Sequence, residues 1–234
     1  MTLRSFGCSF IFGSELADDG SNGPRPTFSK LTWPAHLAQH LGQHYYCHAR
    51  PGAGNLQITE QVLNQVAHGN SQDLFVIGWT WIDRFDHYDA NWNPRDTLSP
   101  WRTIMPVDES ALARTYYKEL HSEYRDKLTT LAHIKLVIDT LNQAQIPFVM
   151  TYMDRLIFDN RWNTSPAAEL LQQAVKPYMT EFDGMTFLEF SRKNGYPETL
   201  KWHPLEQAHR AAAELMIRSF DTQKTSDPAR PVLS

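Results

Sequence analysis

A serine between glycines near the start of the chain has the setting of a reactive hydroxyl. Gly7-Cys8-Ser9 ends a strand-like apolar run that begins at Leu3, and Gly13 follows. Flanking glycines let the backbone turn sharply and leave the hydroxyl uncrowded, and the N–H groups of a following helix start can face a developing negative charge. The same pattern also fits a tight turn in which Ser9 caps a helix, so this motif alone leaves both interpretations open.

Three later motifs carry groups that such a serine would use. The turn Gly52-Ala53-Gly54 offers bare N–H groups, Thr80 offers a hydroxyl after an apolar run, and His203 stands before a proline that opens an amphipathic helix. A serine needs a nearby base to act as a nucleophile at neutral pH, and histidine is the usual one. The glycines also fit simple turns, and the histidine also fits a helix cap.

Strand-like and helix-like segments alternate along nearly the whole chain. Strands are predicted at residues 3–9, 45–49, 74–78, 146–152 and 185–188, and helices at 33–41, 55–68 (with Asn55 as its cap), 109–143, 166–178 and 204–220. This alternation predicts one α/β domain with a mostly parallel sheet covered by helices on both faces. Ligands of such folds bind outside the carboxyl ends of the strands, so Ser9, Gly52 and Thr80 should line one edge.

The composition and charge of the chain limit the classes of function that it can have. The chain has 234 residues, of which 41% are hydrophobic and 21% charged, and a net charge of −4 without a long basic stretch, which argues against nucleic-acid binding. No apolar run approaches the ~20 residues that span a bilayer, and the start lacks the pattern of a signal peptide. We therefore expect a cytoplasmic protein, with a phage-particle location left open. Cys8 and Cys47 could form a disulfide, but two buried free thiols are the favoured interpretation.

Taken in order, the four motifs resemble those of the SGNH (GDSL-type) hydrolase family. The resemblance rests on the segments FGCSFIFG (6–13), ARPGAGN (49–55), IGWT (77–80) and HP (203–204). It implies a three-layer α/β/α sandwich with a mostly parallel, flavodoxin-like five-stranded sheet, and acyl transfer without a cofactor. It also implies Ser9 as nucleophile, His203 as general base, and oxyanion donors from the Ser9 N–H, from Gly52 (with Gly54 as the alternative register) and from Thr80.

Three positions depart from the pattern of that family. Cys8 stands where the family usually has Asp, Thr80 where it has an oxyanion-binding Asn, and Leu200 where it places an Asp three residues before the histidine. Glu198, Glu206 or a backbone carbonyl are the expected substitutes for orienting His203. The chain is thus a dyad enzyme, a triad enzyme with a relocated acid, or a member whose chemistry is lost or changed.

The favoured function is a serine esterase or deacylase acting on a small-molecule or glycan-linked acyl ester. Residues 1–220 form the domain, with an aromatic-rich insertion at about 83–106 as a wall over the cleft, and residues 221–234 form a loose tail. Arg84 and Arg102 in the insertion could hold an anionic or sugar-bearing substrate. The alternative is a catalytically impaired relative that binds a carbohydrate or another small ligand in the same cleft. The oligomeric state is left open.

Three other groups of polar or aromatic residues are weaker candidates for a functional site. His36, His40 and His44 recur every four residues, but no nearby carboxylate or thiol completes a set of metal ligands, so a solvated face is the favoured interpretation. Five aspartates that follow strands are more consistent with loop capping than with a divalent metal: Asp83, Asp86, Asp89, Asp154 and Asp159. Five tryptophans in segments unlike a core either line the cleft or pin a loop: Trp79, Trp81, Trp92, Trp101 and Trp162.

Overall fold

Four parallel strands form the central sheet in a computed structural model that describes residues 1–20, 27–69, 72–93, 99–160 and 165–226, with side chains to residue 220. Six strands are described, of which four belong to this sheet: β1 (Thr2–Phe6), β2 (His44–Cys47), β3 (Leu74–Trp79), β4 (Phe85–Tyr88), β5 (Trp101–Ile104) and β6 (Phe148–Tyr152). The order in the sheet is β2-β1-β3-β6, and β4 and β5 form a separate antiparallel hairpin. The predicted mostly parallel sheet is therefore confirmed.

Helices cover both faces of this sheet. They are α1 (Ser9–Phe12), α2 (Trp33–His40), α3 (Asn55–Ala67), α4 (Ala111–Glu119), α5 (Glu123–Gln143), α6 (Pro166–Val175), α7 (Phe187–Lys193) and α8 (Glu206–Ser226). Helices α2 and α8 pack together on one side, and α3 and α5 on the other. No helix in the described ranges combines the length and apolar character that crossing a membrane requires.

The strand sequences show why the sheet is buried on both faces. In β1, Leu3 packs into the core on the α2–α8 side, whereas Phe6 packs into the core on the α3–α5 side. All six residues of β3 are buried, because helices cover both faces of a parallel strand and leave no position for a polar side chain. The continuous apolar run at 74–78 therefore predicts the middle of the sheet.

Two segments differ from the sequence prediction because a capping side chain fixes a helix start. The predicted strand at 185–188 is wrong, and the described sheet has four strands rather than five. Thr186 and Glu189 form a capping box that begins α7 at Phe187. The predicted helix at 109–143 is two helices, since the Ser122 side chain accepts a hydrogen bond from the Arg125 N–H and starts α5.

Further differences from the prediction lie at helix ends, and two of them bear on the predicted cap and the predicted tail. Asn55 is the first residue of α3 rather than its cap, and Gly54 takes the cap position. Helix α8 continues to Ser226, so the predicted tail does not begin at residue 221. Residues 227–234 lie outside the described part of the chain.

The insertion after β3 is built on the β4–β5 hairpin. Asp86 of β4 is buried and anchors the hairpin to the start of α3, where its carboxylate accepts hydrogen bonds from the N–H groups of Gly54 (3.0 Å) and Gln57 (2.9 Å). The Thr103 hydroxyl of β5 donates to the same carboxylate at 2.6 Å. A single carboxylate thus joins both strands of the hairpin to the turn that contains Gly52.

Candidate active site

Ser9 is the first residue of α1, immediately beyond the carboxyl end of β1. The turn before it needs a glycine, because a Cβ at Gly7 would lie 2.6 Å from Cγ1 of Ile11 and 3.0 Å from the carbonyl oxygen of Gly78. The N–H of Ser9 belongs to the first helical turn, where an intrahelical partner is lacking. Ser9 is 7% exposed, so its hydroxyl lies at a nearly buried point of the sheet edge.

The ring of His203 reaches this hydroxyl from the loop before α8. The His203 Nε2 and Ser9 Oγ atoms are 2.9 Å apart, although 194 positions separate the two residues in the sequence. The loop is closed by a hydrogen bond from the Thr199 N–H to the His203 carbonyl at 3.0 Å. The edge of the Phe10 ring packs on the imidazole with 5.4 Å between ring centroids. The structure therefore brings together the serine and the histidine that the motifs predict.

The far nitrogen of the same imidazole contacts Glu15. His203 Nδ1 lies 2.5 Å from Glu15 Oε2, which also accepts a hydrogen bond from the Thr199 hydroxyl at 2.7 Å. The hydrogen bond from Thr199 lowers the pKa of Glu15, and the contact with His203 lowers it further. Because an ionised carboxylate only accepts hydrogen bonds, the network assigns the proton to Nδ1 and leaves Nε2 to accept from Ser9.

A carboxylate does face the far ring nitrogen of His203, as expected, but it belongs to Glu15. The candidates named from the sequence, Glu198, Glu206 and a backbone carbonyl, are therefore wrong. Glu198 pairs with Arg192 at 3.0 Å, and Glu206 Oε1 accepts a hydrogen bond from the Ala17 N–H at 2.9 Å. Both carboxylates are therefore engaged elsewhere, while Leu200 is fully exposed. Sequence reasoning missed Glu15 because it lies 188 positions from His203, so that no local spacing connects the two.

Of the two predicted glycine registers, the structure leaves Gly52 available and not Gly54. The Gly54 N–H donates to Asp86 Oδ1 at 3.0 Å, and an added Cβ there would lie 2.6 Å from the carboxylate. Gly52 has φ +80°, a left-handed conformation that favours glycine, and an added Cβ would meet nothing within 4 Å. No hydrogen bond from its N–H to another described residue is formed.

Thr80 follows β3 and is fully buried. Its backbone N–H donates to Asn55 Oδ1 at 2.9 Å, and Asn55 Nδ2 in turn donates to the Thr80 carbonyl at 3.3 Å. The Thr80 hydroxyl, in contrast, has no partner among the described residues. Most buried polar side chains have a partner, so an unpaired hydroxyl at this sheet edge calls for a physical explanation.

Arg84 lies at the same edge as the serine and histidine. Its guanidinium stacks on the Trp81 ring at 4.8 Å and donates from Nη1 to the Ala53 carbonyl at 3.0 Å. Trp81 in turn packs against Phe10, which contacts the imidazole. Arg102 differs, because it donates to the carbonyls of its own hairpin and lies 3.6 Å from Asp89.

The remaining predicted groups have structural contacts. Trp79 is fully buried in the core, so the prediction that it lies outside the core is wrong, whereas Trp101 donates from its ring nitrogen to Glu60. Trp162 lies outside the described residues. Asp154 accepts hydrogen bonds from the N–H groups of Ile82 and Leu156, as the capping interpretation predicts.

Neither metal ligands nor a disulfide is found where the sequence raised those alternatives. Within the described ranges, no group of three or more histidines, cysteines or acidic residues could hold a metal ion. Cys8 and Cys47 are both buried and free. Burial raises the pKa of the Cys47 thiol and keeps it protonated.

A separate cavity of about 470 Å³ lies beyond the end of β6 and does not include Ser9 or His203. Tyr152 and Arg155 in its wall both bond to Glu181, and Arg155 also pairs with Glu189. The polar groups of this cavity therefore largely satisfy one another, and we do not assign the candidate site to it.

Comparison with known proteins identifies the fold. No family model matches the chain, and no curated protein matches it. Among solved structures, a member of the lipolytic protein G-D-S-L family from Veillonella parvula has a TM-score of 0.51 at 10% identity, covering 94% of this chain and 98% of that one. Esterase EstA from Pseudoalteromonas sp. has a TM-score of 0.50 at 8% identity, covering 96% and 98%.

A carbohydrate esterase family 2 enzyme from Corynascus thermopiles (Myceliophthora fergusii), with its carbohydrate-binding domain, has a TM-score of 0.50 at 14% identity. The match covers 93% of this chain and 64% of that enzyme's chain. The resemblance to SGNH (GDSL-type) proteins is thereby confirmed at the level of the fold. Identities this low leave the chemistry to be argued from the side chains.

Proposed function

We propose that the protein hydrolyses ester bonds through an acyl-enzyme formed on Ser9. The observation that carries this proposal is the 2.9 Å contact between Ser9 Oγ and His203 Nε2 at the carboxyl edge of the sheet. A serine hydroxyl becomes nucleophilic when a positioned base removes its proton, and the tautomer assigned to His203 leaves Nε2 free to do so.

In the first half of the reaction, Ser9 Oγ attacks the acyl carbon as its proton passes to His203 Nε2. The carbonyl π electrons move onto oxygen and give a tetrahedral oxyanion. This intermediate collapses by breaking the bond to the alcohol, which takes the proton from Nε2 as it leaves. The acyl group remains as an ester of Ser9.

In the second half, water attacks the same acyl carbon while His203 Nε2 accepts one of its protons. The second tetrahedral intermediate breaks the bond to Ser9 Oγ, and the proton on Nε2 returns to that oxygen. The products are a carboxylic acid and the regenerated enzyme, so no cofactor or redox partner is needed for the balance.

The oxyanion would be bound by the N–H of Ser9, the N–H of Gly52 and the hydroxyl of Thr80. The first two are amides without a described partner. Ser9 lies just beyond the end of β1, and Gly52 lies within the turn before α3. Preorganised donors of this kind stabilise charge that develops only in the transition state, and losing one costs about 10²–10³ in rate.

The substrate would be a small-molecule or glycan-linked acyl ester, with Arg84 on an anionic or polar part of it. Arg84 uses Nη1 for the Ala53 carbonyl, and its guanidinium forms no ion pair with a described carboxylate within hydrogen-bonding distance. The esterase and the carbohydrate esterase with a similar fold are compatible with this class of substrate.

Hydrolysis of a short-chain nitrophenyl ester and covalent labelling by a fluorophosphonate test the proposal. Wild type should show both signals, and Ser9→Ala and His203→Ala should lose them by at least about 10³-fold. Ser14→Ala, which removes a serine hydroxyl from the same segment, is the matched control and should retain both.

Arg84→Met should raise the KM about tenfold for an ester with a carboxylate at the acyl end, and leave the KM for a neutral ester unchanged.

A wild-type protein that binds a carbohydrate or another small ligand but shows neither hydrolysis nor labelling would overturn the proposal. The non-catalytic alternative, a protein that only binds its ligand in this cleft, would then hold.

A further inference from the structure

We infer that Glu15 is the positioning residue for His203, replacing the acid that the family resemblance places at position 200. The inference rests on the proposed function, since a base needs to be oriented only if it acts. It goes further by assigning the acid to the loop after the nucleophile. One short segment, from Ser9 to Glu15, would then supply both partners of the imidazole.

The loop that carries Glu15 is held in one conformation. The Leu16 N–H donates to the Gly13 carbonyl at 3.3 Å, which makes a tight turn with Glu15 at φ +67°. The Glu15 N–H donates to the carboxylate of Asp19, which is buried, at 2.6 Å. A left-handed glutamate is uncommon, and it persists only where surrounding contacts over-determine it. These contacts direct the Glu15 side chain at the loop before α8.

Thr199 adapts the histidine loop to an acid that comes from outside it. Its hydroxyl donates to Glu15 Oε2 at 2.7 Å and accepts from the N–H groups of Lys201 (3.2 Å) and His203 (3.3 Å). The next residue, Leu200, is fully exposed, so a side chain at that position points into solvent rather than at the imidazole. Between Thr199 and His203 the loop thus has a hydroxyl that binds Glu15 and no acidic residue.

The physical effect of Glu15 is to fix the tautomer and to stabilise the imidazolium that forms when Ser9 attacks. Replacing the acid of a serine triad by its amide lowers turnover about 10⁴-fold. The Glu15 side chain is 34% exposed, so solvent weakens its interaction with the imidazolium. We therefore expect Glu15→Gln to lower kcat by about 10²–10³, a smaller loss than for a fully buried acid.

Three amide variants separate this role from a general effect of lost charge. Glu15→Gln should lower kcat by the stated factor and leave KM within about threefold, because Glu15 is inferred to act through the imidazole and not on the substrate. Glu198→Gln and Glu206→Gln remove a carboxylate of the same length from the same neighbourhood, and both should keep kcat within about threefold. Equal losses in all three variants, or full kcat in folded Glu15→Gln, would overturn the inference.

Proton NMR at low temperature tests the same contact without turnover. A histidine N–H bonded to a carboxylate gives a far-downfield proton resonance, which should be present in wild type and in Ser9→Ala and absent in Glu15→Gln. Its absence from the folded wild-type protein would overturn the inference even if Glu15→Gln does not fold. If the resonance is present but Ser9 is neither acylated nor labelled, the proposed function fails while the contact stands.

Discussion

At the scale of single residues, the Thr80 hydroxyl is the polar group of the site that lacks a partner. It is fully buried, and no described residue hydrogen-bonds to it. An unsatisfied buried hydroxyl lowers the stability of the fold by about 1–3 kcal/mol. A role of this hydroxyl as the third oxyanion donor would explain why the protein keeps it despite that loss of stability. The position is the one where the family resemblance expects an asparagine amide.

Thr80→Val keeps the shape of the side chain and removes its hydroxyl. We expect the free energy of unfolding to rise by about 1 kcal/mol, because the unpaired buried hydroxyl is gone. The variant should therefore unfold at a higher urea concentration than wild type. The kcat for ester hydrolysis should fall about 10²-fold, because a donor to the oxyanion is lost.

Thr130→Val is the matched control for that substitution. Its hydroxyl accepts a hydrogen bond from Asn55 Nδ2 at 3.3 Å, so its removal should lower the stability instead of raising it. If Thr80→Val is as active as wild type, Thr80 is not an oxyanion donor and its hydroxyl is only a buried unpaired group.

At the scale of elements, Asp86 couples the β4–β5 hairpin to the turn that precedes α3. Its carboxylate accepts from two backbone N–H groups of that turn and helix and from the Thr103 hydroxyl. Gly52 lies two residues before Gly54 in the same turn, and Arg84 lies two residues before Asp86. The conformation of two proposed substrate-binding positions therefore depends on one buried carboxylate.

Asp86→Asn should destabilise the protein by about 2–4 kcal/mol, because the new amide N–H₂ would face donors that need an acceptor. We also expect kcat to fall about tenfold as the Gly52 turn loosens, with both quantities read from urea unfolding and the nitrophenyl ester assay. Asp89→Asn, in the same hairpin but paired with Arg102 at the surface, should cost under about 1 kcal/mol. Equal unfolding midpoints for the two variants would contradict the coupling.

At the scale of the whole molecule, a buried neutral histidine joins the two helices behind the site. His209 of α8 is buried, and its Nδ1 accepts a hydrogen bond from the Trp33 N–H at the start of α2 at 3.1 Å. Burial, with the charges of His36 and His203, lowers the pKa of His209 from 6.5 to about 3. Burial and the Arg4 charge likewise lower the pKa of His48 to about 4.

Lowering the pH should therefore reduce the stability of the fold already at pH values well above those at which carboxylates become protonated. Below pH 6.5 the unfolded chain binds a proton at position 209 that the folded protein excludes until pH falls to about 3. Each such histidine removes up to about 1.4 kcal/mol of stability per pH unit in that window. Urea unfolding at pH 7 and pH 5 should show this loss.

His209→Asn keeps an acceptor for the Trp33 N–H and removes the titration, so its stability should change less between pH 7 and pH 5. His44→Asn, at an exposed position of β2, removes a histidine without emptying the core and serves as the control. Identical pH slopes for wild type and His209→Asn would show that His209 is not held neutral.

The sequence by itself determined which segments are the buried strands and which two residues are the candidate nucleophile and base. The apolar run at 74–78 is long enough to be recognised because both faces of β3 are covered, and Ser9 and His203 stand in short motifs with fixed neighbours. The strand predicted at 185–188 failed, because two hydrogen bonds of the Thr186–Glu189 capping box outweigh the local strand pattern.

Only the tertiary structure decided which acid faces His203 and which of the two glycines has an N–H without a hydrogen-bond partner among the described residues. Glu15 and Asp86 reach their partners across 188 and 32 positions of sequence, through turns whose backbone angles no periodicity specifies. Hydrogen bonds of this kind depend on distances of a few tenths of an ångström between separate loops, and those distances exist only after the sheet and its helices have packed.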